Sequence, residues 1–277
     1  MEERVLVELP DGLKRFWRDF KKKHRGRVFF TSRGVYGACD IGYTEAKELG
    51  ARIIHVGHHR YADLKAEFVP WNRPVDLSFV RLDDIPDEFY LATISPYYHA
   101  FDKMKTLFKD RRVHIKNGRL TGLPLILGCD TSAIGEDLPG VVIATGRFYK
   151  RAFRNPRQRV LFLDPVSRTQ EWIDTERIYR WRAAKYLALR EKKSIAVLIS
   201  LKPGQKRLRA AERLADELEE AGKETLLIVG NEISEATLIN YGVEAAITTA
   251  CPRFGEDMDI PIIALDEFYA FKQKYGF

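Results

Sequence analysis

The sequence predicts an α/β protein made of three related parallel-sheet domains in a pseudo-threefold arrangement, with one cysteine from each converging at a central site. Three observations lead there. Short apolar runs alternate with helical periodicity along the 277 residues, the opening of the chain recurs in its last third, and each of its three cysteines, Cys39, Cys129 and Cys251, follows a strand candidate. At about 150 residues per domain the length suits two domains or three small ones.

The elements follow in order. Residues 5–9 are a short apolar run closed by Pro10, and Leu13, Phe16, Trp17 and Phe20 then recur at helical spacing up to Lys21-Lys22-Lys23. Residues 28–31 read as a second strand, 44–49 as a helix stopped by Gly50, and 53–56 as a third strand. In the middle region residues 91–94 are expected as the first strand, followed by a helix through Phe101 and Leu107, a second strand at 123–127 and a third at 141–145. The last third restarts the pattern. Residues 197–208 align without gaps on residues 5–16 at an offset of 192, with six identities in twelve, and Gly242 falls at the same offset from Gly50. This internal repeat sets expected domains of 1–88, 89–190 and 191–277.

Composition narrows the class. Hydrophobic residues at 45% and charged residues at 31% exclude a disordered or collagen-like chain. The 46 basic against 39 acidic residues give +7, which invites a nucleic-acid or acidic-protein partner. The signs are interspersed, however, which reads as a solvated surface, and direct nucleic-acid binding is not expected. No apolar run approaches the roughly 18 residues that span a bilayer, and Met1-Glu2-Glu3-Arg4 does not open like a signal peptide. The expected location is cytoplasmic, without membrane association.

Cysteine carries more information. Three is an odd count, suited to a reducing compartment, and no C-x-x-C pair exists to form a zinc finger or a clustered iron-sulfur motif. Cys39, in Gly37-Ala38-Cys39-Asp40, and Cys129, in Gly128-Cys129-Asp130, follow second strands. Cys251, in Ala250-Cys251-Pro252, follows a third strand, where the other domains carry Gly57-His58-His59 and Gly146-Arg147-Phe148. Open α/β sheets bind ligands at these strand ends. A single cysteine there is usually a small buried hydrophobe; three in equivalent settings suggest a shared metal centre. Zinc would need a fourth ligand such as His55, His58 or His59, whereas a four-iron four-sulfur cluster on three thiolates leaves one iron open.

Tyr36-Gly37-Ala38-Cys39-Asp40, with Ala46-x-x-Leu49-Gly50-Ala51 and His55-x-Gly57-His58, resembles the first cysteine region of the diphthamide synthase family. Leu127-Gly128-Cys129 with Gly146-Arg147-Phe148 is similar to the second. Leu163-Asp164-Pro165, Lys202-Pro203-Gly204-Gln205 and Thr249-Ala250-Cys251-Pro252-Arg253 complete an ordered set from about Leu6 to Phe271. The resemblance implies a homodimer of three-domain chains in which Cys39, Cys129 and Cys251 hold a 4Fe-4S cluster. It further implies cleavage of S-adenosylmethionine to a 3-amino-3-carboxypropyl radical, supplied with an electron by a donor. The radical is transferred to a histidine imidazole of elongation factor 2, and methylthioadenosine leaves. The activity the resemblance implies is that of a transferase with no catalytic side chain beyond the cluster.

Outside the cysteines, Gly57, His58, Gly146, Arg147, Gly204 and Gln205 are the candidates for contacts to the cofactor and S-adenosylmethionine. Arg147 would pair with the carboxylate of the transferred group, and Gln205, expected at a helix start, would reach the same ligand. Two alternatives stand beside this reading: a quinolinate-synthase-like iron-sulfur dehydratase, and a basic RNA- or ribosome-binding protein with structural cysteines. The basic segments 103–119 and 147–159, including Lys150, Arg151 and Arg154, are expected to form a face that guides the substrate protein.

Overall fold

Runs of Val, Ile, Leu and Ala that are buried along their length become the inner strands of three parallel-dominated sheets, as expected where both sheet faces are covered. The computed structural model describes residues 3–277. In the first sheet β1 (Arg4–Glu8), β2 (Arg27–Phe30), β3 (Arg52–Val56) and β4 (Glu67–Val69) lie in the order β2-β1-β3-β4, all parallel. The second sheet holds β5 (Glu88–Thr93), β6 (Arg112–His114), β7 (Gly140–Ile143), β8 (Val160–Asp164) and β9 (Thr169–Trp172), ordered β6-β5-β7-β8-β9, with only β8 and β9 antiparallel. The third has β10 (Ser194–Ser200), β11 (Glu224–Gly230), β12 (Ala245–Thr248) and β13 (Ile262–Ala264) in the parallel order β11-β10-β12-β13. Each sheet therefore runs second, first, third, fourth, and the repeat read in twelve residues extends to a whole topology.

The chain divides into two units. One comprises Met1–Lys150, Gln158–Ile173 and Lys202–Gly204, with the first two sheets; the other comprises Arg151–Arg157, Asp174–Leu201 and Gln205–Phe277, with the third. In the first unit α1 (Trp17–Lys23) and α2 (Tyr43–Leu49) follow β1 and β2, and α3 (Phe101–Leu107) follows β5. The short α4 (Arg147–Lys150) follows β7. In the second, α5 (Thr175–Arg190), α6 (Leu208–Glu220) and α8 (Leu265–Tyr275) bury Tyr186, Leu189, Leu214, Leu218, Phe268 and Phe271 on one face of the sheet. On the other face α7 (Glu235–Asn240) buries Leu238 with Val243 and Ile228. Gly50 and Gly242 adopt φ of 57° and 69°, so each ends its helix in the left-handed conformation that glycine takes at no steric cost.

Two elements differ from expectation. The helix read through Leu13 and Phe16 opens as a 3-10 turn over Asp11–Phe16, and only Trp17–Lys23 is α-helical, though Leu13, Phe16 and Phe20 share one apolar cluster as their spacing requires. Residues 123–127 are not a regular strand. The second strand of the middle sheet is β6, paired with Glu88, Phe89 and Tyr90; after it the chain leaves the edge and returns at Leu125, which bridges Thr93 on the same side of β5. The Ile126 amide donates to the Thr93 carbonyl at 2.9 Å and the Thr93 amide to the Pro124 carbonyl at 3.1 Å, so the edge strand resumes for one residue pair. The apolar run marked this second piece, while β6, with polar ends and partial exposure, lacked the apolar signal.

Candidate functional site

Cys39 lies in the turn after β2, where the Asp40 amide donates to the Gly37 carbonyl at 3.0 Å. The neighbouring Asp40 is 1% exposed and needs compensation, which Arg33 and Lys202 supply: Arg33 pairs with one carboxylate oxygen and Lys202 Nζ lies 3.1 Å from the other. Arg33 also binds Glu8 at 2.7 Å and Glu45 at 3.3 Å. Burial alone would lower the Arg33 pKa, but Asp40, Glu8 and Glu45 outweigh it and hold the guanidinium charged. Glu8, fully buried at the end of β1, accepts the Gly42 amide at 2.6 Å and meets His55 Nδ1 at 2.8 Å. A Cβ at Gly42 would stand 2.7 Å from Glu8 Oε1, so glycine is what lets the carboxylate reach that amide. The result is a buried polar chain, Lys202–Asp40–Arg33–Glu8–His55, tying the cysteine turn to the ends of β1 and β3.

His55 Nε2 continues the chain to His58 Nδ1 at 3.0 Å, and His59 Nδ1 meets Ser95 Oγ at 2.7 Å. Gly57, at φ 94°, makes the bend between them, and a Cβ there would lie 3.0 Å from Pro10. Burial first, then the charges of His55 and His59, push His58 down to about 3. An imidazole in the unfolded chain takes its proton near 6.5. Between those values the unfolded state binds more protons, so stability rises with pH there and falls on acidification, by on the order of 1 kcal/mol per pH unit. Urea unfolding across this window is expected to show that slope and His58→Gln to flatten it; an unchanged slope would contradict the assignment.

Cys129 follows the resumed edge strand. Its neighbour Asp130, 3% exposed, accepts the Leu120 amide at 3.0 Å and the Ser132 amide at 3.0 Å, so a buried aspartate anchors this turn as Asp40 anchors the first. Tyr149 lies beside Cys129 and Tyr97; burial and the negative charges those two would carry push its phenol up to about 12. Gly146, at φ 86°, donates its amide to Asp164 Oδ2 at 3.0 Å, and the other Asp164 oxygen accepts Val166 and Ser167 amides. The Leu-Asp-Pro motif thus shapes the turn from which Arg147, exposed at the start of α4, projects.

Cys251 follows β12 and opens a turn closed by the Phe254 amide on its carbonyl at 2.9 Å. Burial pushes its thiol up, against the pull of the Arg253 amide and of the Arg154 and Arg253 charges. Arg182, 1% exposed, binds Glu267 at 3.0 Å, Arg154 binds Glu267 at 3.3 Å, and Arg253 pairs with the buried Glu256. Arg151 is paired with Asp257 at 3.1 Å and stacks 5.4 Å from the Trp181 ring, Arg154 is engaged as above, and Lys150 is paired with Glu171 at 2.6 Å. Each of these cations thus has an acidic partner; in segment 103–119, Lys105, Arg111, Arg112 and His114 likewise meet acids.

Lys202-Pro203-Gly204 lies on the Cys39 turn, with the Gly204 amide donating to the Cys39 carbonyl at 3.0 Å. Gln205 sits in the turn before α6 rather than at a helix start, because the helix begins at Leu208. Sequence reasoning missed Glu8, Arg33, Asp40 and Lys202 as a connected set. One signal was visible, a glutamate closing an otherwise apolar strand. Among the described residues no three His, Cys, Asp or Glu side chains are grouped to hold a metal ion, and no helix is long and apolar enough to cross a membrane.

The family model described as "Putative diphthamide synthesis protein" matches residues 9–272. The 2-(3-amino-3-carboxypropyl)histidine synthase of Pyrococcus horikoshii is 29% identical over 98% of this chain and 82% of its own length, and that of Methanocaldococcus jannaschii is 29% identical over 99% and 86%. The crystal structure of Dph2 from Pyrococcus horikoshii with a 4Fe-4S cluster superposes with a TM-score of 0.87 at 28% identity, covering 99% of this chain and 87% of that one. A second structure of the same protein gives 0.86, again at 28% identity, over 98% and 86%. With residues 9–272 of the 277 matched by the family model, this chain belongs to the diphthamide synthesis protein family.

Proposed function

We propose that this chain is a 2-(3-amino-3-carboxypropyl)histidine synthase, the transferase of the first step of diphthamide synthesis. It would move the 3-amino-3-carboxypropyl group of S-adenosylmethionine to a histidine of elongation factor 2 and release methylthioadenosine. The observation that carries this reading is that three sheets of one strand order each lead into a cysteine turn, in a chain matched along nearly its whole length by synthases of that name.

The residues present fit a 4Fe-4S group. Cys39, Cys129 and Cys251 are soft thiol donors, each partly buried and each in a turn beyond a parallel strand. We assign them as the three ligands, converging from domains 1–88, 89–190 and 191–277. When bound, the cluster would supply the electron that breaks the bond between sulfur and the aminocarboxypropyl carbon. The chain's own residues do the rest. Asp40 and Asp130 fix the backbone that presents Cys39 and Cys129, and Asp164 fixes the Gly146 turn so that Arg147 can meet the ligand carboxylate. Gly57, Gly204 and Gln205 line the same proposed region, with His58 a neutral imidazole able to accept or donate a hydrogen bond. Positioning of this kind can supply on the order of 7 to 11 kcal/mol of a barrier. A homodimer and a separate electron donor complete the assembly.

Anaerobic reduction with S-adenosylmethionine, followed by chromatography of the nucleosides, tests the reading. Methylthioadenosine is expected. 5′-Deoxyadenosine as the main product would contradict it, and conversion of a dehydratase substrate without cleavage of S-adenosylmethionine would favour the quinolinate-synthase-like alternative.

A further inference from the structure

We propose that Lys202–Gly204 is a latch that holds the Cys39 turn in one conformation, with Lys202 as a positioning residue for the Cys39 sulfur. The importance of Cys39 as a ligand rests on the function proposed above; the latch rests on geometry alone. Four contacts define it. Lys202 Nζ is 3.1 Å from the buried Asp40 carboxylate. The same ammonium lies 4.6 Å from the centre of the Tyr36 ring, three residues before Cys39. The Gly204 amide donates to the Cys39 carbonyl at 3.0 Å. A Cβ at Gly204 would stand 2.5 Å from the Cys39 Cβ and 2.7 Å from its Cα, so the approach is as close as a residue without a side chain allows.

The four contacts fall on three atom groups of residues 36–40, so the turn is held at its aromatic ring, its carboxylate and its cysteine at once. Lys202 is well suited: its stem lies buried while its ammonium serves both a carboxylate and a ring face. The segment is itself restrained by Pro203, whose φ is fixed by its ring. Tyr36, at 68% exposure, is the one outward-facing member and covers the ammonium from solvent. Asp40 then passes the restraint through Arg33 to Glu8 at the end of β1.

Hydrogen exchange on the full-length apo protein, read by mass spectrometry of the peptide spanning residues 34–42, tests the latch. Lys202→Met and Gly204→Ala are each expected to speed exchange of that peptide about tenfold, by lowering the cost of local opening, while the peptide around Cys129 is unchanged. Lys202→Arg should restore protection. Unchanged exchange in both variants, or equal acceleration at Cys129, would overturn the proposal; if Lys202→Met does not fold, Gly204→Ala decides by the same criteria. Iron release to a chelator from the loaded variants separates the two levels of the argument. Faster release accompanies the latch if Cys39 is a ligand, whereas faster exchange with unchanged release keeps the latch and removes Cys39 from the ligand set.

Discussion

Arg33→Met is expected to destabilise the first unit by about 3 to 5 kcal/mol, the cost of leaving buried charges without their partner. Arg33 is bound to three carboxylates, and two of these, Glu8 and Asp40, are 0% and 1% exposed. Removing the guanidinium leaves Asp40 with Lys202 alone, and Glu8 with one backbone amide and an imidazole. The third carboxylate provides the control. Glu45 is 39% exposed at its side chain, so Glu45→Gln should cost less than about 1 kcal/mol. Denaturant unfolding of both variants reads the difference; a loss of similar size in each would show that burial of Glu8 and Asp40 does not set the cost.

Replacement of Cys39, Cys129 or Cys251 by Ala is the second change of large expected effect. Each is expected to abolish methylthioadenosine formation, because the cluster loses one of three thiolates and the remaining pair cannot hold it. The three variants should fold as the native chain does, since each side chain lies only partly buried in a turn rather than in a core cluster. Loss of product with an unchanged unfolding midpoint is therefore the expected pair of results. A variant that retained turnover would remove that cysteine from the proposed centre.

Much of this was legible in the chain because it follows from local rules. Apolar runs such as residues 5–7 and 141–144 need cover on both faces and so become parallel strands, and Gly50 and Gly242 mark helix ends because only glycine takes positive φ there freely. The twelve-residue repeat placed β1 and β10 correctly at the starts of equivalent sheets. What escaped depends on distant pairing. Lys202 and Asp40 are separated by most of the chain, and nothing local to either shows that they meet. The strand at Arg112–His114 was hidden by its polar ends, and the apolar run is at 123–127 instead, although only Leu125 pairs. Pairing was hidden in the same way: the sequence shows Arg151 and Arg154 as members of a basic segment but not their partners, Asp257 and Glu267.

The central claim is that one cluster is held jointly by Cys39, Cys129 and Cys251, and iron and sulfide analysis of the full-length protein after anaerobic reconstitution tests it most directly. The expected result is about four irons and four sulfides per chain, with the electron paramagnetic resonance of a single reduced 4Fe-4S cluster, and loss of that signal in each of the three single Cys→Ala variants. Stoichiometric zinc in place of iron, or a cluster that survives removal of any one of the three cysteines, would contradict it.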